Sequence, residues 1–237
     1  MLSVLVGLTG CSPAEPDPAA PILLFKGTGT SPNDVKAVEA VLKDAQLAYA
    51  TVNSEQLDHL SEARLRAYRL FIIPGGNYLT MGDGLTTSAT AKVREAVQQG
   101  VNYLGICAGG LLAGQTGRNS MNLTAGVKFG FYAVVNRGLH KGVVAVAGPG
   151  SPALEQYWED GPQFTGWGAV VGKYPDGTPA VVQGTSGKGW VVLCGVHPEA
   201  PEHWRRGMNF TTPAGEDHAY ARRLIEAALN ATPLPQY

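Results

Sequence analysis

Cysteine is scarce in this 237-residue sequence, with Cys11, Cys107 and Cys194 the only three. Thiols so few, without paired spacing, exclude a disulfide-stapled scaffold and a zinc site, so no metal is expected and each cysteine is read alone. Charge is scarce as well. Asp, Glu, Lys and Arg make up 16% of the chain, against about 25% in an average soluble domain. With hydrophobic residues at 44%, this excludes disorder for most of the chain. The 18 basic residues against 19 acidic ones leave a net charge of −1, which offers no footprint for a phosphate backbone, so nucleic acid is not an expected partner. Glycine, by contrast, is abundant. Its 31 residues are nearly twice the average share of about 7% and point to many tight turns and close backbone approaches. The length suits one large α/β domain or two small ones.

The N-terminal apolar run Met1–Leu8 is far too short for a bilayer span of about 20 residues. It fits the apolar region of a signal peptide. Leu8-Thr9-Gly10-Cys11 resembles a bacterial lipobox, although no Lys or Arg precedes the run. Residues 1–10 are therefore expected to be a lipoprotein signal peptide, with Cys11 lipidated and residues 11–20 a Pro-rich tether. The domain over 21–237 would then be anchored to a bacterial cell membrane, on its extracytoplasmic side.

Pro21-Ile22-Leu23-Leu24-Phe25 reads as a strand buried on both faces. Ser31 caps a helix over about 32–46, with Pro32 at its first position, Asp34 completing a capping box, and Val35, Val38, Val41 and Leu42 on one face. A strand at 48–52, a helix near 54–66, a strand ending at Ile73, a helix at 87–99 and a strand at 101–106 follow. That alternation implies βαβ units and a parallel sheet. From about 127 to 196 the apolar segments Val127–Val135, Gly142–Ala147, Gly168–Gly172, Pro179–Val182 and Trp190–Val196 are short and turn-rich, and read as antiparallel, with hairpin signals at Asp176-Gly177 and Ser186–Gly189. A helix at 214–230 is expected to pack Ala219, Leu224, Ile225 and Ala228 on the sheet. The fold class is thus α/β, in three layers, with a mostly parallel central sheet and inserted antiparallel strands.

Gly105-Ile106-Cys107-Ala108-Gly109, between an apolar strand and a helix, is the thiol form of a nucleophile elbow. A sharp turn there exposes the sulfur and aims helix N-terminal amides at it, which favours the thiolate. A thiolate needs a base, and His197 follows the apolar strand Trp190–Val196 at a strand end, where parallel sheets collect functional groups. Pro198 biases His197 toward an extended backbone, which sends Glu199 to the same side. Cys107, His197 and Glu199 are therefore the expected catalytic residues. Amides of Gly75 or Gly76, together with that of Ala108, could form an oxyanion hole. His59, His140, His203 and His218 stand in polar surroundings and read as solvated. Tyr78, Tyr157, Trp158, Trp167 and Trp204 could wall a pocket. Cys194 reads as inert packing. Gly27-Thr28-Gly29 lacks the third glycine of a dinucleotide fingerprint and reads as a turn, so no cofactor is expected.

Pro74-Gly75-Gly76, Gly105–Gly109 and Gly195-Val196-His197-Pro198-Glu199, in that order, resemble the class I glutamine amidotransferase-like superfamily. The resemblance implies a flavodoxin-like fold and a Cys-His-Glu triad. Gly109-Gly110-Leu111 departs from the amidotransferase elbow, where a Gln helps to hold glutamine. Together with Tyr157–Phe164 and Gly187–Leu193, the motifs look like the biotin–protein ligase N-terminal domain family, in its stand-alone bacterial form. The ligase's biotin-binding motif is missing, so no biotin ligase activity of its own is expected. What the resemblance implies is a cysteine-dependent hydrolase or amidotransferase-like enzyme of unknown substrate. The alternative is a non-catalytic module that binds a small molecule or a protein at the cell surface.

Overall fold

The computed structural model describes residues 16, 19–132, 138 and 140–237. Cys11, the expected signal peptide, most of the tether and residues 133–135 of the Val127–Val135 segment lie outside them.

Strand β1 (Ile22–Phe25) is followed by α1 (Pro32–Asp44), β2 (Tyr49–Val52), α2 (Ser54–His59), α3 (Glu62–Leu65), β3 (Leu70–Ile73), α4 (Tyr78–Asp83), α5 (Thr87–Gln98), β4 (Asn102–Ile106) and α6 (Ala108–Ala113). The second half holds β5 (Gly130–Phe131), β6 (Lys141–Val146), β7 (Leu154–Glu159), β8 (Pro162–Gln163), β9 (Ala169–Lys173), β10 (Pro179–Ser186), β11 (Gly189–Cys194) and α7 (Ala214–Asn230). One seven-stranded sheet runs in the order β2-β1-β3-β4-β11-β10-β9. Neighbours from β2 to β11 are parallel, and β10 and β9 pair antiparallel.

Side-chain alternation explains the layering. Ile22, Leu24, Leu70 and Ile72 enter a core shared with Val35, Val38 and Leu42 of α1 and Leu224, Ile225 and Ala228 of α7. Leu23, Phe25, Phe71 and Ile73 enter a second core under α2 to α6, with Leu57, Met81, Val93 and Leu112. Continuous apolar strands are what two covered faces require.

Several expectations need correction. The helix near 54–66 is two helices, because Ser61 accepts the Arg64 N–H and caps a fresh start. The capping box of α1 is only half made. Ser31 Oγ accepts the Asp34 N–H at 3.3 Å, but the Ser31 N–H donates to Gly75 O at 3.1 Å, which leaves the Asp34 carboxyl free to turn elsewhere. Strand β11 is antiparallel to β10 yet parallel to β4, since its apolar residues are needed in the centre of the sheet. Ala219 faces solvent, and Ala221, on the opposite side of α7, is buried instead. Neither α4 nor β7 was expected. Asn77 caps α4, and β7 pairs with β6 in a hairpin outside the main sheet.

Candidate active site

The register of the sheet gathers the site. Ile73 of β3 pairs with Gly105 of β4, and Ile106 pairs with Cys194 of β11. Gly75, Cys107 and His197 therefore leave the carboxyl ends of three adjacent strands, where open α/β sheets bind ligands.

Cys107 stands between β4 and α6 with φ 49° and ψ −109°. For a residue with a Cβ this is sparsely populated backbone, which costs about 1–3 kcal/mol and persists only when its surroundings enforce it. Here they do. The Cys107 N–H donates to Cys194 O at 2.7 Å, extending the ladder one residue past the strand. A Cβ on Gly105 would lie 2.5 Å from Gly109 O, and one on Gly109 would lie 2.0 Å from Ile73 O. Glycine is thus required on both sides of the elbow. The Cys107 sulfur lies 3.6 Å from Glu159 O, to which the thiol can donate.

His197 is buried, and its N–H donates to Tyr157 O at 2.9 Å. His197 forms an antiparallel bridge with Tyr157, as an extended backbone allows, and the chain then turns at 198–199, closed by the Ala200 N–H on His197 O at 3.1 Å. Glu199 still reaches the ring: its Oε1 is 2.9 Å from Nδ1, and Cys107 is close enough for its charge to favour the imidazolium. Asp34 of α1, which sequence reasoning spent on the helix cap, brings Oδ1 to 3.2 Å from the same Nδ1. Its position at the first helix turn after a parallel strand was the signal that could have marked it. Gly75 makes the approach possible, since a Cβ there would stand 2.0 Å from Asp34 Oδ1 and 2.8 Å from His197 Cε1.

The three groups titrate against one another. Burial disfavours the His197 imidazolium, but Cys107, Glu199 and Asp34 outweigh it and hold its pKa well above the ordinary value. Burial raises Glu199, and His197 only partly offsets this. Burial pushes Asp34 up too, yet His197 and Ser31 bring it below the usual carboxylate range. The donor atoms of Asp34, His197 and Glu199 all lie within 4.8 Å of one another, the one group among the described residues close enough to hold a cation. A cation on Nδ1 would displace the proton that the carboxylates now face.

Asp34, Cys107 and His197 open into a cleft of about 920 Å³, with Glu199 buried outside its lining. Gly76 and Ala108 line it, whereas Gly75 sits behind the wall against Asp34 and His197. Tyr78, Tyr157 and Trp204 line it as expected. Trp158 and Trp167 do not, because the first is fully buried in the core and the second packs on the far core. His203, expected to be merely solvated, is exposed but lines the cleft beside Trp204. Leu79 and Phe131, 42% and 43% exposed, form an apolar rim. Cys194 is a fully buried free thiol, its pKa pushed up to about 12, chiefly by burial.

Among solved structures, a glutamine amidotransferase is 17% identical, with a TM-score of 0.60 over 87% of this chain and 100% of its own. A cytoplasmic protein from Salmonella typhimurium LT2 is 12% identical, with a TM-score of 0.54 over 89% of this chain and 99% of its own. An exo-β-1,4-mannosidase from Opitutaceae bacterium strain TAV5 is 15% identical, with a TM-score of 0.55 over 89% of this chain but only 36% of its own. These likenesses concern the fold. No curated protein matches. Residues 20–155 match the family described as "Biotin-protein ligase, N terminal"; the match takes in Asp34, Gly75 and Cys107 and stops short of His197 and Glu199. Since the matched segment is more than half of the chain, and the fold is glutamine amidotransferase-like, the protein belongs to the biotin–protein ligase N-terminal family.

Proposed function

We propose that the protein is a cysteine-dependent hydrolase or amidotransferase-like enzyme built on a Cys107-His197-Glu199 triad. The observation that carries this reading is a thiol on a strained strand–helix turn that lines one cleft with a buried imidazole whose Nδ1 is held by a carboxylate. In the reaction, the Cys107 thiolate attacks a substrate carbonyl and the amides of Gly76 and Ala108 face the resulting oxyanion. Gly75 supports that strand end from behind. His197, as imidazolium, gives its proton to the leaving group and forms a thioester; as neutral base it then takes a proton from water, which releases the acid and the free thiol. Glu199 keeps Nδ1 as the donor, so that the other nitrogen carries the travelling proton. The cleft's apolar rim and its size suit a substrate larger than a simple amide.

The test is differential alkylation. Iodoacetamide should modify Cys107 at least about a hundredfold faster than Cys194 near pH 7, and His197→Ala should lower the Cys107 rate by about tenfold. If Cys107 reacts no faster than Cys194, the non-catalytic binding module becomes the better reading. We propose further that Cys11 carries a lipid anchor, a reading that rests on Leu8-Thr9-Gly10-Cys11. Cys11→Ala should then move the protein from the membrane fraction to the soluble one, and an unaltered protein found wholly in the soluble fraction would refute the anchor.

A further inference from the structure

His197 Nδ1 carries at most one proton, yet two buried carboxylates face it: Glu199 Oε1 at 2.9 Å and Asp34 Oδ1 at 3.2 Å. They arrive from different places. Glu199 belongs to the same turn as the histidine, whereas Asp34 comes from α1, across the end of β3. Apart from the imidazole, no hydrogen-bonding group engages Asp34 Oδ1, and it is shut off from solvent. A buried carboxylate is costly unless it is paired, and nothing in the packing of α1 requires this one, because the helix cap needs only Ser31 Oγ and the Asp34 backbone N–H. The room for it is made by the missing side chain of Gly75.

We infer that Asp34 is a second positioning carboxylate of the active site, sharing the His197 Nδ1 proton with Glu199 and holding the imidazolium that accompanies a Cys107 thiolate. The inference rests on the enzyme reading above. Moving the Cys107 proton to His197 creates a positive charge on the ring and a negative one on sulfur. Asp34 touches the ring directly, so its charge favours the ion pair over the neutral pair. The other titratable groups facing the ring are Cys107 from the elbow, Glu199 from its own turn, Tyr157 from β7 and Cys194 from β11. Tyr157 is held neutral, by burial first and then by its hydrogen bond to Glu159. The ring's negative partners are therefore Asp34, Glu199 and the thiolate. Two acceptors for one proton also make the orientation redundant: either carboxylate alone can keep Nδ1 as the donor.

The test follows Cys107 alkylation from pH 5.5 to 10 in the unaltered protein, Asp34→Asn, Asp34→Glu, Glu199→Gln and the Asp34→Asn/Glu199→Gln double variant. Asp34→Asn should slow alkylation by about tenfold near pH 6.5 and converge with the unaltered protein near pH 10, above the ordinary pKa of a free thiol. Asp34→Glu should recover most of the rate at pH 6.5. The double variant should fall below the product of the two singles, as redundancy requires. An Asp34→Asn profile identical to that of the unaltered protein, or one lowered equally at every pH, would overturn the inference while leaving the enzyme reading intact. An unaltered Cys107 no faster than a free thiol would overturn the enzyme reading itself. If Asp34→Asn fails to fold, imidazole NMR of the unaltered protein decides: His197 should remain imidazolium through neutral pH, and a neutral ring at pH 7 would overturn the inference.

Discussion

The two ends of the parallel strands treat buried polar groups differently: the amino end leaves only the Trp190 indole N–H unmatched among its described side chains, the carboxyl end carboxylates. At the amino end, Asn102 donates Nδ2–H to Leu229 O at 3.3 Å and accepts the Trp190 N–H on Oδ1 at 2.9 Å. Arg69 donates to Leu229 O and to Asn230 Oδ1. These bonds dock the last turn of α7 and fix the start of β11. At the carboxyl end, Glu199 Oε2 is buried without a hydrogen-bond partner, Asp34 Oδ1 has the imidazole alone beside it, and two carboxylates crowd one ring. The matched groups build the sheet. The mismatched ones hold a charged histidine beside a thiol, and the strained elbow belongs to the same end.

This contrast can be broken most severely at Gly75. Gly75→Ala places a Cβ against both Asp34 and His197, and misplacing the ring by about 1 Å should lower Cys107 alkylation by about a hundredfold. Glu199→Gln should lower it by about tenfold near pH 7, yet change the melting temperature by less than about 2 °C, because the buried charge it removes is disfavoured in the fold. Asn102→Ala should do the reverse. It strands the Trp190 N–H and should cost about 1–3 kcal/mol in denaturant unfolding, with the Cys107 alkylation rate unchanged.

The smallest effect lies in the acid limb of stability. Asp34 is held below its ordinary pKa in the fold. Its contribution is therefore present above the unfolded value and vanishes as pH falls through the folded one. Asp34→Asn should flatten that limb, so that the two unfolding curves draw together as the pH drops below the carboxylate range. Curves that stay parallel from pH 7 down to pH 2 would show that Asp34 is not charged in the fold.

Much of this was legible in the sequence wherever one residue pattern has one physical use. Ile22–Phe25 and Leu70–Ile73 are apolar at every position and could only be central strands. Gly105–Gly109 marked the elbow because glycine on both sides of a cysteine serves little else there. The closing helix matches residue for residue, Ala214–Asn230. Legibility failed where a residue has two uses. Asp34 satisfies a helix-cap pattern with its backbone while its carboxyl serves the site. Trp158 and Trp204 are alike in composition, and only the tertiary fold sends one to the core and the other to the cleft. The partners of β7 depend on contacts far apart in the chain, and local pattern carries no record of them.

Strand β7 also acts as a gauge block. Through Tyr157 O it fixes the backbone of His197, and two residues on, through Glu159 O, it meets the sulfur of Cys107. Nucleophile and base, which come from different strands of the main sheet, are thereby set against one rigid segment that belongs to neither. The hairpin can lengthen or change sequence at its Gly148–Ser151 end without disturbing that spacing, whereas a one-residue slip of β7 past β6 would shift both reference points together.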